Sequence, residues 1–132
     1  MIQMLCFTVM LGAAKVREHI DRGSGTIQYI LQDAEILVHN LTYNKEVGFH
    51  INVDAVWRNL YTSYSHSLMT GGGRIVEVWK IRDLGELLKQ IPVTTPIPPK
   101  PTFQFAVFYH NLDWDTWYWN NNYGQDYFLQ AT

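Results

Sequence analysis

The chain has 132 residues, 47% of them hydrophobic and 14% aromatic, a single cysteine and a formal net charge of −2. That length and apolar content describe one domain with its own core, which excludes a disordered chain, and the slightly acidic balance excludes a nucleic-acid surface. The lone Cys6 excludes an internal disulfide and a cysteine-based zinc cluster.

The opening run from Met1 to Leu11 is apolar but too short to span a membrane. No positive residue precedes it and Gly12-Ala13-Ala14 is a loose cleavage match, so it reads as a buried or edge strand rather than a signal peptide. Lys15 to Gly25 is charged and then glycine-bearing, which predicts a loop or a short helix. From Thr26 the apolar residues recur every second position. Ile36 and Val38 form one such series and Val47, Phe49, Ile51 and Val53 another, which predicts half-buried antiparallel strands. Between them Asn40 to Lys45 reads as a turn that exposes Tyr43 and carries the sequon Asn40-Leu41-Thr42. Trp57 follows the second strand, Tyr61 and Tyr64 lie in polar sequence, and Gly71-Gly72-Gly73 marks a break.

Ile75 to Ile81 predicts a further strand with two open registers. Either Ile75, Trp79 and Ile81 face the core with Glu77 as the exception, or Val76 and Val78 do. Trp79, among apolar neighbours, reads as a core residue. Asp83 to Gln90 predicts a short helix. Pro92, Pro96, Pro98, Pro99 and Pro101 make a stiff connection that cannot enter a sheet interior. Phe103 to His110 predicts a strand with Phe103, Phe105, Val107 and Tyr109 on one face. The fold class is therefore all-β, an antiparallel immunoglobulin-like β-sandwich of about seven to eight strands.

The last segment, Trp117 to Tyr127, holds five aromatic residues among eleven. On a strand, Trp117 and Trp119 project together while Tyr118 points inward, and the Asn-rich stretch after Trp119 predicts a loop. Indole faces stack on pyranose rings, and amide side chains match hydroxyls that both donate and accept. The segment thus carries the parts of a sugar site. Catalytic parts are scarcer. Asp113 and Asp115 sit in one predicted turn, whereas glycoside hydrolases draw their two carboxylates from elements flanking a cleft. The five histidines show no helical zinc pairing, although His39 and His50 are candidates to meet across adjacent strands. The expectation is a protein that is not an enzyme and takes no metal or cofactor.

Tyr118-Trp119-Asn120-Asn121-Asn122-Tyr123-Gly124-Gln125-Asp126-Tyr127 resembles the closing signature of the family-21 starch-binding modules. In the glycogen-targeting subunits of protein phosphatase 1 that signature runs aromatic-Trp-Asp-Asn-Asn-x-Gly-Gln-Asn-Tyr. Val38 to Val47, Trp57-Arg58-Asn59 and Phe105 to Tyr109 resemble three further family segments, in the same order. The match is strongest over 34–132, leaving 1–33 as an extra strand and loop of the same single module. Several positions depart from the pattern. Asn120 and Asp126 exchange the family's Asp and Asn, Ala106 replaces an aromatic, Trp57 has one more residue before it, and the loop from Arg82 to Thr102 is longer.

The resemblance implies non-catalytic binding of α-1,4-glucans: starch, glycogen or malto-oligosaccharides. It implies one surface with Trp57 and Trp119, supplemented by Trp117 or Trp114, and a second with Tyr43 and either Tyr61 or Tyr64. Asn40, Lys45, Asn121 and Asn122 would supply polar contacts. The alternative it implies is a scaffold recruiting protein phosphatase 1 and glycogen-metabolising enzymes. Lys15-Val16-Arg17-Glu18 begins like a phosphatase-docking motif but lacks its aromatic anchor. Neither nucleic acid nor membrane is an expected partner. The cytoplasm is the expected compartment, or secretion if the module belongs to an amylolytic enzyme.

Overall fold

A computed structural model describes residues 8–39, 43–93, 96 and 98–132. Ten strands occur among them, more than the seven or eight expected, in two antiparallel sheets packed as a sandwich. The first sheet runs β1 (Val9–Asp21), β2 (Thr26–His39), β6 (Ile75–Lys80), β5 (Ser63–Met69), with β7 (Glu86–Pro92) also on β2. The second runs β10 (Tyr127–Gln130), β8 (Thr102–Asn111), β3 (Lys45–Val53), β4 (Val56–Tyr61), with β9 (Thr116–Asn120) also on β8.

Alternation in β2, β3 and β8 builds the core. Ile27, Tyr29, Leu31, Ile36 and Val38 from the first sheet meet Val47, Phe49, Ile51, Phe103, Phe105, Val107 and Tyr109 from the second. Removing these side chains from water is the main driving force, about 25 cal/mol per Å² of apolar surface. Both flanks are stitched across the sheets. On one side the Glu18 amide donates to the Thr132 carbonyl and the Thr132 amide to the Val16 carbonyl. On the other, Arg58 donates to the Leu87 carbonyl at 2.9 Å and Lys89 pairs with Asp54 at 2.7 Å.

Three local expectations are corrected. Lys15 to Asp21 is neither loop nor helix but the second half of β1, with Val16 in the core. That burial also removes Val16 as a docking anchor. Asp83 to Gln90 is not a helix: β7 begins at Glu86 and pairs with β2 through a bulge at Leu88. His39 and His50 do not meet, because β2 and β3 belong to different sheets. In β6 the register is resolved by pairing. Trp79 and Ile81 pack on the core side but Ile75, expected with them, is exposed, while Val76 and Val78 are buried on the opposite face beside Leu37 and Leu68. Of the opening strand expected over 1–11, residues 9–11 are strand, Thr8 is a bend and 1–7 lie outside the described residues.

Each sheet has a long strand whose two halves serve different neighbours on one edge. β9 and β10 both pair with β8, Asn120 opposite Val107 and Tyr127 opposite Phe105. They amount to one edge strand from which 121–126 loops out opposite the single residue Ala106. The aromatic signature and its loop are thereby fixed to the outer face of the second sheet.

Candidate functional site

Cross-strand register determines which side chains share that outer face. Gly48 pairs with Phe108 and Tyr61, Phe108 with Trp119, His110 with Trp117, and His50 with Ala106 and Asn59. Trp57 is presented at the start of β4 by a two-residue turn, with Asp54 at φ 53° and Ala55 at φ 67°. A tight hairpin needs that left-handed pair because its twist matches the strands.

The result is a connected row of rings. His50 stacks on Trp57 at 4.8 Å between centroids and meets Trp119 edge-on at 5.4 Å. Trp119 lies parallel to Trp117 at 5.8 Å, and Trp117 stacks on His110 at 3.9 Å. Buried Phe108 underlies both tryptophans, at 5.4 and 5.6 Å, and Tyr61 packs edge-on against it. Trp57, Trp117 and Trp119 keep 39%, 40% and 49% of their surface exposed. Tyr118 points inward against Tyr109, as alternation requires. The exposed rings of Trp114 and Tyr123 stand on the two loops that flank β9.

The loop after Trp119 is shaped by its own amides. Asn120, 7% exposed, donates from Nδ2 to the Val9 carbonyl at 3.1 Å, and its Oδ1 accepts from the Asn122 amide and the Tyr127 hydroxyl. Asn121 accepts from the Gly124 amide, and Asn122 donates to the Asp126 carbonyl. Asn121 and Asn122 thus each use one end of the amide to hold the loop. Asn122, Tyr123, Gly124 and Asp126 all have positive φ, which Asn, Asp and Gly accept most readily.

A second cluster brings the start of β3 together with β5 and β6. Tyr43, Lys45, Tyr64, Glu77 and Trp79 line a cleft of about 480 Å³. Lys45, its side chain 3% exposed, pairs with Glu77 at 2.9 Å, and the Trp79 indole donates to the same carboxylate at 3.0 Å. Tyr64 meets Trp79 edge-on at 6.1 Å, and Tyr43 is 98% exposed at the rim. Register separates the two tyrosines that sequence left together: Tyr64 belongs to this cleft and Tyr61 to the tryptophan face. Asn40 lies outside the described residues. Trp79, read from sequence as core, is half-buried and serves both the core and the cleft. Glu77, His50 and His110 join the candidate residues through their contacts alone. Their signal was there in the polar positions of β3, β6 and β8, but only the pairing shows which rings they face.

At Asn111 to Thr116, the Asn111 side chain accepts from the amides of Asp113 and Trp114 and so fixes the turn. Asp115 bonds His110 at 2.8 Å, and Glu46 approaches its other ring nitrogen at 3.3 Å. The Asp115 hydrogen bond, aided by Glu46 and opposed by desolvation, raises the His110 pKa above the ordinary histidine value. Among the described residues no group of three or more His, Cys, Asp or Glu is placed to hold a metal ion.

The two-sheet sandwich is a fold that a known carbohydrate-binding module shares. The chain is similar to the solution structure of the carbohydrate binding module of the muscle glycogen-targeting subunit of protein phosphatase-1, with a TM-score of 0.54. The two are 17% identical, over 99% of this chain and 84% of that one, which establishes a shared fold. No protein-family model and no curated protein matches the chain.

Proposed function

We propose that the protein is a non-catalytic binding module for α-1,4-glucans such as starch, glycogen or malto-oligosaccharides. The observation that carries this reading is the row Trp57–His50–Trp119–Trp117–His110 on the outer face of the second sheet, with its three indoles exposed. Trp57 and Trp119 are the principal stacking residues, with Trp117 and Tyr61 beside them, and the loop holding Asn121 and Asn122 supplies polar contacts. The cleft of Tyr43, Tyr64 and Trp79 is a second contact for the same chain, with Lys45 and Glu77 in its wall. If sugars stack as bases do, each ring contributes roughly 1–3 kcal/mol. Single sites are then weak, and a long glucan reaching both gains by avidity.

The similarity to a glycogen-targeting module supports this reading through the fold. It lends less to the phosphatase scaffold, since the one segment resembling a docking motif lies inside β1. The test is sedimentation with insoluble starch or glycogen, using wild type, Trp57→Ala and Trp119→Ala. Wild type in the pellet, with both variants folded but left in solution, is the expected result. Wild type remaining in the supernatant would overturn the reading.

A further inference from the structure

His110 stands opposite Trp117 in the β8–β9 pairing, with ring centroids 3.9 Å apart and planes 9° from parallel. Its Nε2 is 2.8 Å from Asp115 Oδ1 and its Nδ1 is 3.3 Å from Glu46 Oε1. Both ring nitrogens therefore face carboxylate oxygens. A neutral imidazole has one N–H and would turn a lone pair toward one of them, whereas the imidazolium satisfies both. The geometry is built for the charged form, which also attracts the indole face.

The groups around the ring come from three elements: Glu46 on β3, Asp115 in the turn after β8, and Trp117 on β9. Asp113, in the same turn, is engaged by Asn44. His50 lies further along the row, against Trp57 and Trp119, and bonds Asn59. Asp115 has φ 52° and sits two residues before Trp117. His110 thus ties the turn leading into the platform to the ring it presents.

We propose that His110 is the positioning residue of Trp117, and that the platform grips glucan more tightly when His110 is protonated. This rests on the aromatic face being a glucan platform. As pH rises the imidazolium loses a proton, one carboxylate loses its partner, and exposed Asp115 swings to solvent. The turn then loosens and the ring stacked on Trp117 loses its cationic attraction for the indole. The Asp115 hydrogen bond shifts this change upward from the ordinary histidine value.

The experiment is calorimetric titration with maltoheptaose between about pH 5.5 and about pH 8.5, the span over which histidine changes charge. Wild type is compared with His110→Phe, which keeps a stacking ring that does not titrate. His110→Gln serves if the phenylalanine variant folds poorly. Wild-type affinity should fall roughly three- to tenfold across the range, the scale of one cation–π contact, with a flat profile in the variant. Tryptophan fluorescence of the free protein should titrate in step, and lose that transition in Trp117→Phe. A flat wild-type profile would overturn the proposal and leave the platform intact. A pH dependence that survives in the His110 variants would overturn it too and point to His50. No binding at any pH would overturn the platform together with the proposal.

Discussion

Asn120 is the residue on which loop and sheets are both hung, and its substitution has a calculable cost. Its side chain makes three hydrogen bonds, to the Val9 carbonyl, the Asn122 amide and the Tyr127 hydroxyl, at 3.1, 3.2 and 2.9 Å. Asn120→Ala removes all three, at about 1 kcal/mol net each, so the expected loss is about 3 kcal/mol. Asn120→Asp is the sharper test. It keeps the two accepted bonds but sets an oxygen against the Val9 carbonyl, in a site that is 7% exposed. That costs about 2 kcal/mol at neutral pH, from the lost bond and the desolvated charge.

A protonated carboxyl donates to Val9 again, so the new aspartate has a folded pKa above its unfolded one. The native state then binds the proton more tightly than the unfolded chain. The variant's deficit is small below the ordinary aspartate range and grows as pH rises through the raised value. Urea titrations followed by tryptophan fluorescence at about pH 4 and about pH 7 measure this as a midpoint shift at unchanged slope. An Asn120→Asp variant as stable as wild type at both pH values would refute the assignment of Asn120 as donor to Val9.

The remaining expectations also concern single contacts. Ala55 holds φ 67° in the turn before Trp57, so Ala55→Gly should relieve strain and raise stability by about 1 kcal/mol, read from a thermal midpoint. A Cβ on Gly48 would lie 2.5 Å from the Leu60 carbonyl oxygen and 2.8 Å from the Phe108 ring, so Gly48→Ala should destabilise by about 2 kcal/mol. Unfolding titrations of that variant decide it, and a neutral effect would mean the strand shifts freely under the platform. Lys45→Met and Glu77→Leu should each cost about 3 kcal/mol, and the double variant less than their sum, because each single change removes one half of a buried ion pair. A double-mutant cycle in urea reads that coupling.

The central strands were legible because their core residues recur every second position: Val47, Phe49 and Ile51 in β3, Phe103, Phe105, Val107 and Tyr109 in β8, and Ile27, Tyr29 and Leu31 in the first half of β2. β7 was not. Its bulge at Leu88 turns Leu88 and Ile91, three residues apart, toward the same core, and that spacing imitates a helix. The second half of β1 carries Glu18 between Val16 and Ile20 on its inward-facing side, which breaks the apolar series. At the candidate site, Trp57 and Trp119 announce themselves as tryptophans in polar sequence. His50 and His110 do not, because a histidine at an outward strand position looks ordinary until the neighbouring strand places a ring against it. Trp79 was ambiguous for a physical reason: one flank packs on the core and the other lines the cleft.

The Asn-rich loop leaves and rejoins the same edge, its two ends held two residues apart on β8. A loop tethered in this way can be lengthened or rewritten at little cost, since closure entropy grows only with the logarithm of its length. Stability and freedom to vary thus sit on different parts of the chain. The rings are rooted in paired strands, while 121–126 is free to diverge. Grafting a different loop between Asn120 and Tyr127 should therefore alter the polar border of the ring face and leave the sandwich folded.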